Sequence, residues 1–137
     1  MIIKSFEINK KVKILLNTDI YLIYGENIGL KKDIRETIIN TKSEKNEKTE
    51  TLTFYENDII NDEKDFYNAI YSGSLFSNKK IITINNGTDK IIKQIKDNVE
   101  KLSGDVFLII FSGVLEKKSK LRNFFETNIK TLCIPCY

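Results

Sequence analysis

Tyr21-Leu22-Ile23-Tyr24-Gly25-Glu26-Asn27-Ile28-Gly29-Leu30-Lys31-Lys32 decides how the chain is read. It predicts a short buried strand, a tight turn at Gly25 and a helix opening near Ile28. Nucleotide-binding α/β proteins keep a phosphate loop at such a corner, and a working loop reads G-x-x-x-x-G-K-[ST]. Aligned on Gly25, the second glycine becomes Leu30, the lysine survives as Lys31, and the Ser/Thr becomes Lys32. Leu30 puts a side chain where backbone N–H groups must approach a phosphate closely. Lys32 has no hydroxyl to hold Mg²⁺. The frame is that of a P-loop without its chemistry. The plainer alternative is any strand–turn–helix corner of an α/β domain.

Outward from that corner the pattern alternates. Ile20 to Tyr24 is a continuous apolar run, as a parallel strand buried on both faces requires. Ile28 to Asn40 places Leu30, Ile34 and Ile38 on one helical face, with Asn27 as N-cap. Lys42 to Glu50 holds no apolar residue and is expected to be a loop. Leu52 to Tyr55 predicts a strand, Asp62 to Ser72 a helix, and Lys80 to Asn85 a strand stopped by Asn86-Gly87. Ile91, Ile92, Ile95, Val99 and Leu102 mark an amphipathic helix capped by Thr88 or Asp89. Val106 to Phe111 is the most apolar strand, Ser119 to Asn128 a short helix, and Thr131 to Ile134 a last strand before Pro135. Met1 to Val12 suggests an edge strand and a short helix. Strict alternation of strand and helix argues an α/β fold, a five-stranded parallel sheet with helices on both faces.

Composition narrows the chemistry. The chain of 137 residues suits one domain with a sizeable core. It has no histidine, which excludes Ser-His-Asp triads, Cys-His pairs and most zinc sites. The net charge of +3 is slight, its basic residues are spread along the chain, and only Arg35 and Arg122 are arginine, so composition alone does not mark a nucleic-acid binder. The longest apolar run, Val106 to Phe111, is far too short to span a membrane, and the N-terminus lacks a signal-peptide core, so a cytoplasmic protein is expected.

Three further positions bear on function. Hydrolysis of a nucleotide needs an acidic residue at the end of a neighbouring strand, to hold Mg²⁺ and orient water. After Ile81-Ile82-Thr83-Ile84 the chain offers Asn85 and Asn86, whose neutral amides cannot replace a carboxylate charge. Cys133-Ile134-Pro135-Cys136 spells C-x-x-C but sits on a strand, whereas a redox pair needs a helix directly after its first cysteine. No other cysteine completes a zinc site. Leu75-Phe76 lies in polar, turn-prone company. It reads either as a plug over one end of the sheet or as an exposed anchor for a partner's pocket. Full burial of the pair at an interface would contribute about 3–6 kcal/mol before ordering costs.

Taken together, these segments resemble the bacterial DNA polymerase III delta subunit family. Tyr21 to Asn27 followed by Leu30-Lys31 is similar to its opening YLLYGED…LK. Ser74 to Ile84 resembles its SLF-x-x-[KR][KR] segment, and Val106 to Phe111 followed by Leu115 to Leu121 its LDKRSKL segment. The resemblance implies a RecA-like AAA+ fold with a degenerate P-loop at Gly25, Leu30, Lys31 and Lys32 and a degenerate acidic position at Asn85 and Asn86. It implies a subunit of the clamp loader that does not hydrolyse ATP, needs no cofactor or metal, and binds the β sliding clamp through Leu75 and Phe76. Some members carry a further bulky residue two positions before the leucine, where this chain has Gly73. Residues 1–137 would form one N-terminal domain. Lid and collar domains beyond it would join the other clamp-loader subunits, and DNA would be met through the assembled complex. The alternative from the residues alone is a weak nucleotide-binding domain working through Gly25 and Lys31.

Overall fold

The computed structural model describes residues 1–43, 48–72, 79–102 and 104–137. Five strands form a single sheet: β1 (Ile20–Tyr24), β2 (Thr49–Tyr55), β3 (Lys79–Asn85), β4 (Val106–Phe111) and β5 (Thr131–Pro135). All pairs are parallel, in the order β2-β3-β4-β1-β5. α1 (Val12–Leu16) precedes β1, and between the strands lie α2 (Ile28–Lys42), α3 (Glu56–Asn61), α4 (Glu63–Tyr71), α5 (Ile92–Asn98) and α6 (Lys120–Thr127).

The sheet has one helical layer on each face. Ile20, Leu22 and Tyr24 of β1 pack with residues of α3, α4, α5 and α6. Tyr21 and Ile23 point the other way, into a cluster with Leu15 of α1 and Ile34 and Ile38 of α2. This split follows from crossover chirality. The β1-to-β2 connection runs toward one edge of the sheet and the later connections run back, so right-handed crossovers place α2 opposite α4, α5 and α6. β1 is therefore buried on both sides, which is why its sequence is continuously apolar. β2 lies on an edge and alternates half-buried and exposed residues, with Leu52 and Phe54 turned to the core.

Several boundaries depart from the sequence expectations. The expected N-terminal edge strand is a single bridge, Ile2 to Cys133, followed by a 3-10 helix over Ser5–Lys10 and then α1. β2 begins at Thr49, three residues early, because its polar start is tolerated at an edge. The six-residue α3 is unheralded in the sequence. The expected loop from Lys42 is shorter: Lys42 closes α2 with its side chain buried, its ammonium donating to Thr18 O at 2.7 Å and Asp19 Oδ1 at 2.9 Å. Residues 44–47 of that connection lie outside the described residues. Thr88 caps the turn before α5, whereas Asp89 serves α6 instead, accepting from Leu121 N–H at 3.0 Å and Ser119 Oγ at 2.6 Å.

Candidate functional site

Strand order reverses between β1 and β4: the chain leaves β1 toward one edge and leaves β4 toward the other. In open parallel sheets the crevice beyond the carboxyl ends of the strands at such a point is where ligands bind. Here the crevice is an open cleft of about 400 Å³ lined by Ile28, Lys31, Lys32, Tyr55, Asn85, Asn86, Phe111, Ser112 and Gly113. The ends of α2, β2, β3 and β4 thus bring together four residues singled out in the sequence: Lys31, Lys32, Asn85 and Asn86.

The turn after β1 is packed shut. Gly25 has φ +121°, a conformation glycine tolerates and other residues rarely adopt. Its N–H donates to Gly113 O at 3.0 Å, and the N–H of Asn27 donates to Cys136 O at 3.1 Å. Gly25 is therefore buried between the exits of β4 and β5, outside the lining of the cleft. A phosphate cradle needs such N–H groups free. The turn is also short, because α2 starts at Ile28. Leu30 thereby falls in the first helical turn, with its N–H held by the N-cap Asn27 Oδ1 at 3.0 Å and its side chain packed on the core beneath α2.

Lys31 reaches the cleft wall, where its ammonium donates to Ser112 O at 2.9 Å. Lys32 is exposed at the rim. Asn86 adopts φ +59° at the end of β3, which turns the chain into Gly87. Among the described residues no carboxylate lines the cleft. Tyr55, Phe111 and Ser112 were not read from the sequence as site residues. Their signal was positional: the carboxyl ends of adjacent parallel strands finish at one level.

Leu75 and Phe76 lie outside the described residues, as does Gly73. The described ends of their connection are tied together. Lys80 is buried, and its ammonium donates to Ala69 O at 2.9 Å and Ser72 O at 2.7 Å, joining the start of β3 to the end of α4. Cys133 and Cys136 are free thiols with no exposure, and burial pushes each up to about 11. A thiol held neutral in this way is a poor nucleophile. Among the described residues no group of histidine, cysteine and carboxylate side chains is placed to hold a metal, and no helix is long and apolar enough to cross a membrane.

The family model for the DNA polymerase III, delta subunit matches residues 21–134. The chain belongs to the DNA polymerase III delta-subunit family. A solved structure of the Bacillus subtilis DNA clamp loader delta protein (YqeN) superposes with a TM-score of 0.67 at 13% identity, over 96% of this chain and 42% of that one. That likeness establishes the fold, a RecA-like α/β domain, and the chain spans less than half the length of the delta protein it matches. A DNA polymerase III, gamma subunit-related protein from Thermotoga maritima superposes more loosely, with a TM-score of 0.47 at 14% identity over 88% of this chain and 49% of that one. No curated protein matches the chain in sequence.

Proposed function

We propose that this delta-family domain binds the β sliding clamp and helps to hold it open, without hydrolysing ATP. The observation that carries the reading is the family match, which spans the degenerate phosphate corner, the Leu75-Phe76 segment and the last two strands. Leu75 and Phe76 are the proposed anchor, a compact apolar pair in an otherwise polar connection. The mechanism is differential affinity. A subunit that binds the open clamp better than the closed ring shifts the ring's equilibrium toward opening, and the shift is limited by that difference.

The geometry of the β1–α2 corner supports the absence of hydrolysis. Backbone donors that would face a phosphate are spent on Gly113 and Cys136, and Asn85 and Asn86 stand where a carboxylate would hold Mg²⁺. ATP would then be spent by partner subunits, which would join this one through domains beyond this chain, and DNA would be met through the assembled complex. The proposed setting is the bacterial cytoplasm. Co-migration of the chain with the clamp in size-exclusion chromatography, without nucleotide, tests the reading. A complex that forms only with ATP, or not at all, would count against it.

A second reading, weak nucleotide binding, draws on the cleft itself, since Lys31 and Lys32 face it with no opposing carboxylate among the described residues. A saturable rise in melting temperature with ATP and Mg²⁺, lost in Lys31→Ala, would favour it.

A further inference from the structure

The second residue of β3 is a lysine turned inward. Lys80 is 4% exposed, and its backbone is held on both sides, in register with Glu50 of β2 and Val106 of β4 and with its N–H on Asp105 O at 2.8 Å. Its ammonium donates to Ala69 O at 2.9 Å, Ser72 O at 2.7 Å and Ser72 Oγ at 3.3 Å. Three protons thus meet three neutral acceptors, all on the last turn of α4 and the residue after it. Ala69 O is one of the carbonyls that a helix end leaves without a partner, and a cation there also suits the helix dipole. Lys80 therefore closes α4 from the neighbouring strand.

Burying a charge is costly, and an apolar side chain of similar size in such a place commonly leaves stability unchanged or raised. What the lysine adds is direction: hydrogen bonds from one paired strand fix where α4 stops. A second tie acts from the other side. The hydroxyl of Tyr71, the last residue of α4, donates to Asn98 Oδ1 of α5, and Asn98 is itself buried with its amide on Gln94 O at 2.6 Å. Six residues, 73–78, then separate Ser72 from Lys79, and Leu75 and Phe76 are among them. A short connection with both ends fixed has fewer arrangements than one with free ends, so less ordering is left for a partner to impose.

We infer that Lys80 is a positioning residue for the clamp contact: it fixes where α4 ends against where β3 begins, and so sets the two ends from which Leu75 and Phe76 are presented. The inference rests on the reading of Leu75 and Phe76 as the clamp anchor. Lys80 itself is buried and touches no partner.

Binding kinetics on immobilised β clamp, without nucleotide, compare the parent with Lys80→Met and Lys80→Gln. Lys42→Met is the control: it removes a comparably buried ammonium, bonded to Thr18 O at 2.7 Å and Asp19 Oδ1 at 2.9 Å, at the end of α2. Circular dichroism and melting establish that each is folded. Releasing the two ends lowers the fraction of molecules ready to bind and leaves the contacts themselves intact. The association rate should therefore fall about 10-fold in both Lys80 variants, with dissociation within about 2-fold of the parent and Lys42→Met matching the parent. Association at the parent's rate in folded Lys80 variants, or an equal fall in Lys42→Met, would overturn the inference and leave the clamp contact standing. No binding by the parent would overturn the clamp reading and the inference with it.

Discussion

The carbonyl oxygen of Cys136 lies 2.0 Å from the point where a β-carbon on Gly25 would stand. The exit of β5 therefore closes directly over the turn after β1, and Cys136 N–H donates to Tyr24 O at 2.7 Å to hold it there. The same contact that stabilises this corner removes donors from any phosphate.

Two glycines four residues apart should respond oppositely to alanine. Gly25→Ala meets both a left-handed backbone and the Cys136 carbonyl, so it should cost about 3 kcal/mol or more. Gly29 sits in the first turn of α2, where the nearest atom to an added β-carbon is Asn27 Oδ1 at 3.8 Å. Gly29→Ala should be neutral or stabilising by up to about 1 kcal/mol. Urea denaturation of both variants checks the pair.

Restoring the motif should not restore the chemistry. Leu30→Gly/Lys32→Thr/Asn85→Asp rebuilds the letters of a phosphate loop and its acidic partner. α2 still begins at Ile28, and Gly25 and Asn27 still donate to Gly113 and Cys136. Phosphate release from ATP should stay at background. Turnover in this variant would mean that the corner opens more readily than its hydrogen bonds imply.

The thiols report the integrity of β5. Cys133 and Cys136 should resist alkylation by iodoacetamide at neutral pH in the folded protein and react on unfolding. Burial raises both from 9.0 to about 11. Raised folded values mean that their contribution to stability is whole below about 9 and is lost as pH climbs toward 11. Thermal melts between neutral and alkaline pH should show that decline, reduced in Cys133→Ala/Cys136→Ala.

Asp89 should matter at the acid end. Burial works against its charge, but hydrogen bonds from Leu121 and Ser119 prevail and hold its carboxyl below the ordinary 3.8. Its contribution is therefore complete above about 3.8 and is lost as pH falls through the lower folded value. Asp89→Ala removes an acceptor at the start of α6 and should cost about 0.5–2 kcal/mol at neutral pH. The variant's stability should also fall less steeply in acid.

Legibility in the sequence followed how local each signal was. The strands showed because burial on both faces leaves continuous apolar runs, and β1 and β4 are the clearest cases. Asn27 was legible as a cap because its partner, Leu30, is three residues away. By contrast, α3 is six residues long with Ile59 as its one buried apolar side chain, and its Glu56 is held by Thr88, 32 residues on. Between Thr88 and Asp89 the local pattern could not choose: Thr88 is the cap, and the partners of Asp89 lie at the start of α6, about 30 residues on. Within the cleft, Lys31, Lys32, Asn85 and Asn86 were found through motif frames. Tyr55 and Ser112 belong to it by strand register, which no linear pattern announces.

The most direct measurement is calorimetric titration of this chain into the β clamp of the same organism, beside Leu75→Ala/Phe76→Ala, without nucleotide. Circular dichroism must show both proteins folded. The account predicts that the parent binds and that the variant loses about 3 kcal/mol or more of binding free energy while keeping its fold. Equal binding by a folded variant, or no binding by the parent, would contradict it.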